Sequence, residues 1–142
     1  MTLNINNLDL RGKKIVIVED DIPSIRYYET LLHTTGAGFK VFRTGKEFVE
    51  FIKTPGSEFD MVIMDFLVPL VNGIDCIRTL RKEHKNVPAV MITAYSSEQT
   101  RSEAFIAGCT EFILKPVYPD KVYNLLEKYL LQEVNSYHNH MA

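Results

Sequence analysis

Ile15-Val16-Ile17-Val18-Glu19-Asp20, residues 15–20, runs four apolar side chains straight into two carboxylates. A strand buried on both faces reads as such a continuous run, whereas a strand with one wet face alternates. The layout recurs downstream, where Met61-Val62-Ile63-Met64 ends at Asp65 and Phe112-Ile113-Leu114 ends at Lys115. If these runs are parallel strands of one sheet, three carboxylates and one ammonium converge at its carboxyl edge. That edge is where open α/β folds place their chemistry.

Ala89 to Ile92 is a fourth apolar run, and Phe39-Lys40-Val41-Phe42 is a fifth whose lysine marks it as an edge strand. Helical stretches alternate with these five. Asp21 before Ile22-Pro23 caps the first, with Ile25, Tyr28 and Leu32 as its stripe and an end near Gly36. Thr44-Gly45-Lys46-Glu47 fits a capping box for the second, followed by Phe48, Phe51 and Ile52 at helical spacing. Ile74, Ile77 and Leu80 mark the third. Pro119 opens the fifth, in which Val122, Leu125, Leu126, Tyr129 and Leu130 share a face. The fourth, from about Ser96 to Ala107, is polar through its first half and offers only Ala104 to Ala107 as an apolar anchor. It is expected to be the least firmly held. Five strands alternating with five helices predict an α/β fold, a doubly wound (βα)5 three-layer sandwich on a parallel five-stranded sheet. Right-handed crossovers give the strand order 2-1-3-4-5.

The 142 residues have room for one domain, and 46% apolar content suffices for its core. The predicted division is an arm or linker over residues 1–12, the folded domain over 13–132, and a flexible tail over 133–142. Leu3, Ile5, Leu8 and Leu10 of the arm could dock, while His138 and His140 in the tail read as solvated. A formal charge of -2, a pI near 6.1 and no basic stretch interleaved with aromatics disfavour direct nucleic-acid binding. Apolar runs far below roughly 18 residues, and a start without the layout of a secretion signal, exclude a membrane span and point to the cytoplasm. Cys76 and Cys109 read as small core hydrophobes, too few for a disulfide framework and without zinc-site spacing.

In the predicted order strands 1 and 3 are neighbours, so Glu19 and Asp20 face Asp65. Three carboxylates at such range cannot all stay ionised unless a cation neutralises them or a pKa rises. An all-oxygen set open to water suits Mg²⁺ or Mn²⁺ far better than zinc.

From about Lys13 to Leu131 the chain resembles the receiver domain of two-component response regulators. The resemblance rests on Ile-Val-Glu-Asp-Asp at 17–21, Met-Asp-Phe-Leu-Val-Pro-Leu-Val-Asn-Gly at 64–73, Met-Ile-Thr-Ala at 91–94 and Leu-Lys-Pro at 114–116. It implies a flavodoxin-like fold in which Asp65 is the phosphoacceptor, attacking phosphohistidine on a histidine kinase or histidine phosphotransfer protein. By the same resemblance Asp20 and Asp65 ligate Mg²⁺ directly, Glu19 does so through water, and the backbone carbonyl of Leu67 completes the set. Lys115 pairs with Asp65 and later with a phosphoryl oxygen. Thr93 swings to the phosphoryl group as the switch hydroxyl, and Phe112, where the family often carries tyrosine, turns inward behind it. The Lys115-Pro116 bond is expected cis. Asp21 reads as a cap rather than a ligand, and Pro69 and Gly73 as loop and helix-entry punctuation.

The same resemblance makes the protein a stoichiometric acceptor rather than an enzyme. A phosphatase of the haloacid dehalogenase type would carry a second aspartate two residues after the nucleophile, and that position is Leu67. A pseudo-receiver, binding partners without phosphorylation, is the other alternative, and the intact residue set argues against it. Leu67 and Tyr95 flank the path of an attacking water, which implies slow loss of the phosphoryl group. With no output domain read in the sequence, the signal is expected to leave through the fourth helix, fifth strand and fifth helix, a surface often used for homodimers. Leu10-Arg11-Gly12-Lys13-Lys14 is similar to the lead-in of receivers attached to hybrid histidine kinases.

Overall fold

Five strands, β1 (Lys14–Val18), β2 (Gly38–Phe42), β3 (Met61–Met64), β4 (Ala89–Thr93) and β5 (Glu111–Leu114), alternate with five helices in the computed structural model. The helices are α1 (Ile22–His33), α2 (Gly45–Ile52), α3 (Gly73–Glu83), α4 (Glu98–Ala107) and α5 (Pro119–Leu130). The structure describes residues 8–131. Leu3, Ile5, His138 and His140 lie outside them. All strand pairs are parallel and the order is β2-β1-β3-β4-β5, the flavodoxin-like doubly wound arrangement expected.

Period-two alternation divides the core into two layers. Val16, Val18, Val62, Met64, Ala89 and Met91 face one side, against Phe48 and Ile52 of α2, Ile77 and Leu80 of α3 and Ala104 of α4. Ile15, Ile17, Met61, Ile63, Val90 and Ile92 face the other, against Tyr28 and Leu32 of α1 and Val122, Leu126 and Leu130 of α5. Continuous apolar runs thus arise because both faces of the central strands are covered.

Four local expectations need correction or completion. β5 was grouped with the doubly buried strands, yet the strand order makes it the second edge, and Leu114 is 51% exposed. The apolar anchor of α4 is narrower than Ala104 to Ala107: Thr100 and Ala104 are buried, Phe105 and Ile106 are exposed. Leu10, assigned to the arm, is fully buried and its amide donates to Thr35 O at 2.8 Å, while Leu8 packs against the same core layer. At α2, Thr44 caps the Glu47 amide as expected, but Glu47 Oε1 accepts from the Thr44 hydroxyl rather than from its backbone.

Arg81 on α3 holds two loops together. Its guanidinium donates to Gly108 O at the end of α4 and to His84 O and Val87 O after α3, so carbonyl dipoles, including those of two helix C-termini, balance the charge. Gly108, at φ +115, closes α4, and a Cβ there would lie 2.6 Å from Arg81 Cγ. Among the described residues no helix is long and apolar enough to cross a membrane.

Candidate functional site

The functional side chains stand one residue beyond their strands, and the sheet's hydrogen bonding follows them there. Asp65 N donates to Val18 O at 3.0 Å, Glu19 N to Phe42 O at 3.0 Å and Lys115 N to Thr93 O at 2.8 Å. Backbone pairing therefore fixes where each side chain starts.

Asp65 is nearly buried, and its carboxylate has donors on both oxygens. Oδ1 accepts from the Thr93 hydroxyl at 2.7 Å and from Leu67 N at 3.0 Å, and Oδ2 accepts from Lys115 Nζ at 3.0 Å. The same ammonium donates to Glu19 Oε1 at 2.6 Å and to Ser24 Oγ at 3.2 Å. Lys115 thus uses all three of its protons. Its backbone enters the site through a cis bond to Pro116, as the resemblance implied.

Glu19 is 1% exposed, and its second oxygen accepts from the amides of Asp20 and Asp21. Burial pushes its pKa above the usual carboxylate value; the Lys115 hydrogen bond pulls down and the Asp65 charge pushes up, and the net direction is upward. Burial likewise pulls the Lys115 pKa down, but hydrogen bonds to Glu19 and Asp65 outweigh it and leave the ammonium above its ordinary value. Asp20 differs from both in being exposed. Among the described residues its carboxylate makes no ion pair.

Asp21 caps α1, its carboxylate accepting from Ser24 N at 3.1 Å and Ser24 Oγ at 2.6 Å. Because that hydroxyl also meets Lys115, the cap is joined to the site. Ser24 was not singled out by sequence, and neither was Arg43, whose guanidinium donates to Asp20 O at 3.2 Å. Three-residue spacing from Asp21 is the signal that could have drawn attention to Ser24. Arg43 offers none, since only the β1–β2 pairing brings it near.

Gly73 has more than a punctuating role. A Cβ there would lie 2.6 Å from Asp65 O and 3.0 Å from Phe66 Cα, so only glycine lets α3 start this close to the Asp65 backbone. Its amide donates to Phe66 O at 2.9 Å, and Asn72 caps the helix by accepting from Asp75 N. Across the mouth, Tyr95 N donates to Thr93 Oγ1 at 3.2 Å and the Tyr95 ring stacks on Phe66 with centroids 5.3 Å apart. Phe112 is buried within the layer that holds Met91 and Ala104.

Glu19, Asp65, Thr93 and Lys115 are therefore in direct contact, Asp20 stands at the rim, and Leu67 reaches the site through its amide. Oxygen donors dominate, which fits a hard divalent cation, and three carboxylates against one ammonium leave charge for it to neutralise. The side chains do not form a ready cage: among the described residues no three Asp, Glu, His or Cys side chains are grouped to hold an ion.

Comparison with known proteins agrees with this geometry. The family model described as response regulator receiver domain matches residues 15–127. A probable transcriptional regulatory protein, SilR of Salmonella typhimurium, is 36% identical over 103 residues, covering 72% of this chain and 44% of that protein. Hybrid signal transduction histidine kinase M of Dictyostelium discoideum is 31% identical over 119 residues, 80% of this chain but 5% of the kinase. The chain thus spans less than half of either relative. A CheY-like receiver domain protein of Methanospirillum hungatei superposes with a TM-score of 0.80 at 22% identity, over 87% of this chain and 98% of that one. The receiver domain of a sensor histidine kinase from Pseudomonas aeruginosa, solved with magnesium coordinated in its active site cleft, gives 0.75 at 22% identity, over 84% and 98%. Family model, sequence relatives and fold agree, and the chain belongs to the response regulator receiver domains of two-component signalling.

Proposed function

We propose that this receiver is phosphorylatable, taking a phosphoryl group from phosphohistidine on a histidine kinase or histidine phosphotransfer protein onto Asp65 and thereby changing what it binds. The observation that carries this reading is the Asp65 carboxylate, held between the Thr93 hydroxyl at 2.7 Å and the Lys115 ammonium at 3.0 Å at the carboxyl edge of the sheet. One carboxylate oxygen attacks phosphorus, the phosphorus–nitrogen bond breaks, and its electron pair leaves with the imidazole. An aspartyl phosphate remains. Lys115 and Thr93 are placed to pass from the carboxylate to the phosphoryl oxygens, where a cation and a hydroxyl donor offset the transferred charge. Asp20 and Asp65, with the Leu67 carbonyl and with Glu19 through water, would hold Mg²⁺ or Mn²⁺, which supplies charge neutralisation to the phosphoryl oxygens when bound. Leu67 offers no acid or base for turnover, so the chain acts as a stoichiometric acceptor rather than a phosphatase.

Transfer of label from a phosphohistidine-bearing phosphotransfer protein tests this. The label is expected to reach the chain in the presence of Mg²⁺ and to stay on the donor when the metal is chelated. Retention on the donor under both conditions would refute the reading.

The alternative reading is a phosphorylation-independent interaction module, since the Thr93–Asp65 hydrogen bond and the burial of Phe112 are contacts within the chain itself. An Asp65→Ala variant that supports normal signalling would establish that alternative over the first.

A further inference from the structure

α4 has little to hold it. Only Thr100 and Ala104 are buried, while Phe105 is 41% and Ile106 81% exposed. Its polar first half contains Arg101, whose guanidinium carbon lies 5.3 Å from the Phe105 ring centroid and 5.9 Å from that of Phe112. Among the described residues Arg101 has no carboxylate partner, so these two rings are what its charge meets. A guanidinium within about 6 Å of an aromatic face is attracted by the ring quadrupole.

Phe112 belongs to β5, where it pairs with Met91, two residues before Thr93 on β4. Lacking a hydroxyl, its ring has no polar tie of its own. Arg101 supplies one from outside, bridging the β5 ring to α4.

We propose that Arg101 is the positioning residue that latches Phe112 in its buried place and so ties α4 to β5. Movement of Phe112 would then be transmitted to α4. The consequence for signalling rests on the phosphorylatable-receiver reading, whereas the latch itself is a property of the unphosphorylated chain. Arg101 and the buried Thr100 are then what connect the polar half of α4 to the core.

The test is hydrogen–deuterium exchange of the α4 amides in unphosphorylated protein, comparing the parent with Arg101→Ala and Arg101→Lys. Loss of one exposed cation–aromatic contact corresponds to about a two- to fivefold change in an equilibrium. Arg101→Ala is expected to speed exchange across α4 by that factor and leave α1, α2 and α3 unchanged. Alanine favours helix more than arginine does, so intrinsic propensity would act in the opposite direction. Arg101→Lys, which keeps the charge, is expected to recover at least half of the protection. Unchanged α4 exchange in Arg101→Ala, equal exchange in the two variants, or a rise spread over the whole chain would each overturn the proposal. Because no phosphodonor is present, its failure is distinct from failure of Asp65 to accept a phosphoryl group.

Discussion

Thr93 Oγ1 donates to Asp65 Oδ1 at 2.7 Å, so the hydroxyl expected to swing to the phosphoryl group is hydrogen-bonded to the carboxylate that would carry it. Thr93 is fully buried, and its oxygen also accepts from Tyr95 N at 3.2 Å. Thr93→Val removes the donor for Asp65 and leaves the Tyr95 amide without its partner. A loss of about 1–3 kcal/mol in urea unfolding is expected, with slower phosphoryl uptake from acetyl phosphate. Thr93→Ser, which keeps the hydroxyl, should recover most of both.

Lys115 makes stability fall at alkaline pH. Burial lowers its pKa, but the Glu19 and Asp65 carboxylates raise it above the ordinary lysine value of 10.5. A cation with a raised folded-state pKa gives stability that is complete below its unfolded pKa and lost as pH climbs through the folded one. Thermal midpoints should therefore drop as pH rises past the lysine range, and Lys115→Met should remove part of that drop. At neutral pH the variant leaves Glu19 and Asp65 without their shared cation. Its deficit should shrink as acid protonates Glu19, whose raised pKa makes the ionised form the costly one.

Leu67 and Tyr95 are expected to set the lifetime of a phosphorylated form. Leu67 is 58% and Tyr95 44% exposed, yet their amides bond to Asp65 and Thr93, so both side chains are carried at the mouth of the site. Replacing Leu67 with asparagine and Tyr95 with a small polar residue opens the approach for water. Phosphoryl loss after removal of the donor should then be several-fold faster than in the parent. An unchanged decay rate would show that these side chains do not guard the path.

Leu70 carries avoidable strain. It has φ 74, a left-handed conformation that branched or bulky side chains rarely adopt, and it is 76% exposed. Leu70→Asn should raise stability by about 0.5–1 kcal/mol, because asparagine tolerates this conformation and no buried contact is lost. Chemical denaturation of the two proteins side by side checks it.

The apolar runs ending at Glu19 and Asp65 were readable because central parallel strands are buried on both faces, and because one-residue overhangs at strand ends, Lys115 included, leave side chains little freedom. Thr93 and Phe112 were singled out only by the resemblance to receiver domains, since a strand-end threonine and a core phenylalanine carry no functional signal of their own. Contacts between distant segments were not readable. Ser24 reaches Lys115 across 91 positions, and Arg81 reaches Gly108 across 27. Such pairs leave no local spacing to detect. The exposure of Ile106 and Leu114 was missed for a related reason: apolar character alone does not say which strand becomes an edge or which face of a weakly amphipathic helix turns outward. Leu10, read as part of an arm that could dock, does so, but where it packs depends on a core layer that only the folded sheet and its helices supply.

Identifying the modified residue tests the central claim most directly. The protein is incubated with acetyl phosphate and Mg²⁺ and its intact mass is measured; borohydride then reduces any acyl phosphate to homoserine with release of phosphate, and peptides are mapped by mass spectrometry. The account predicts one phosphoryl group per chain, located at Asp65 and absent from Asp65→Asn. No gain in mass of the intact protein before reduction, no homoserine at position 65 after it, or equal modification of the parent and Asp65→Asn would contradict it.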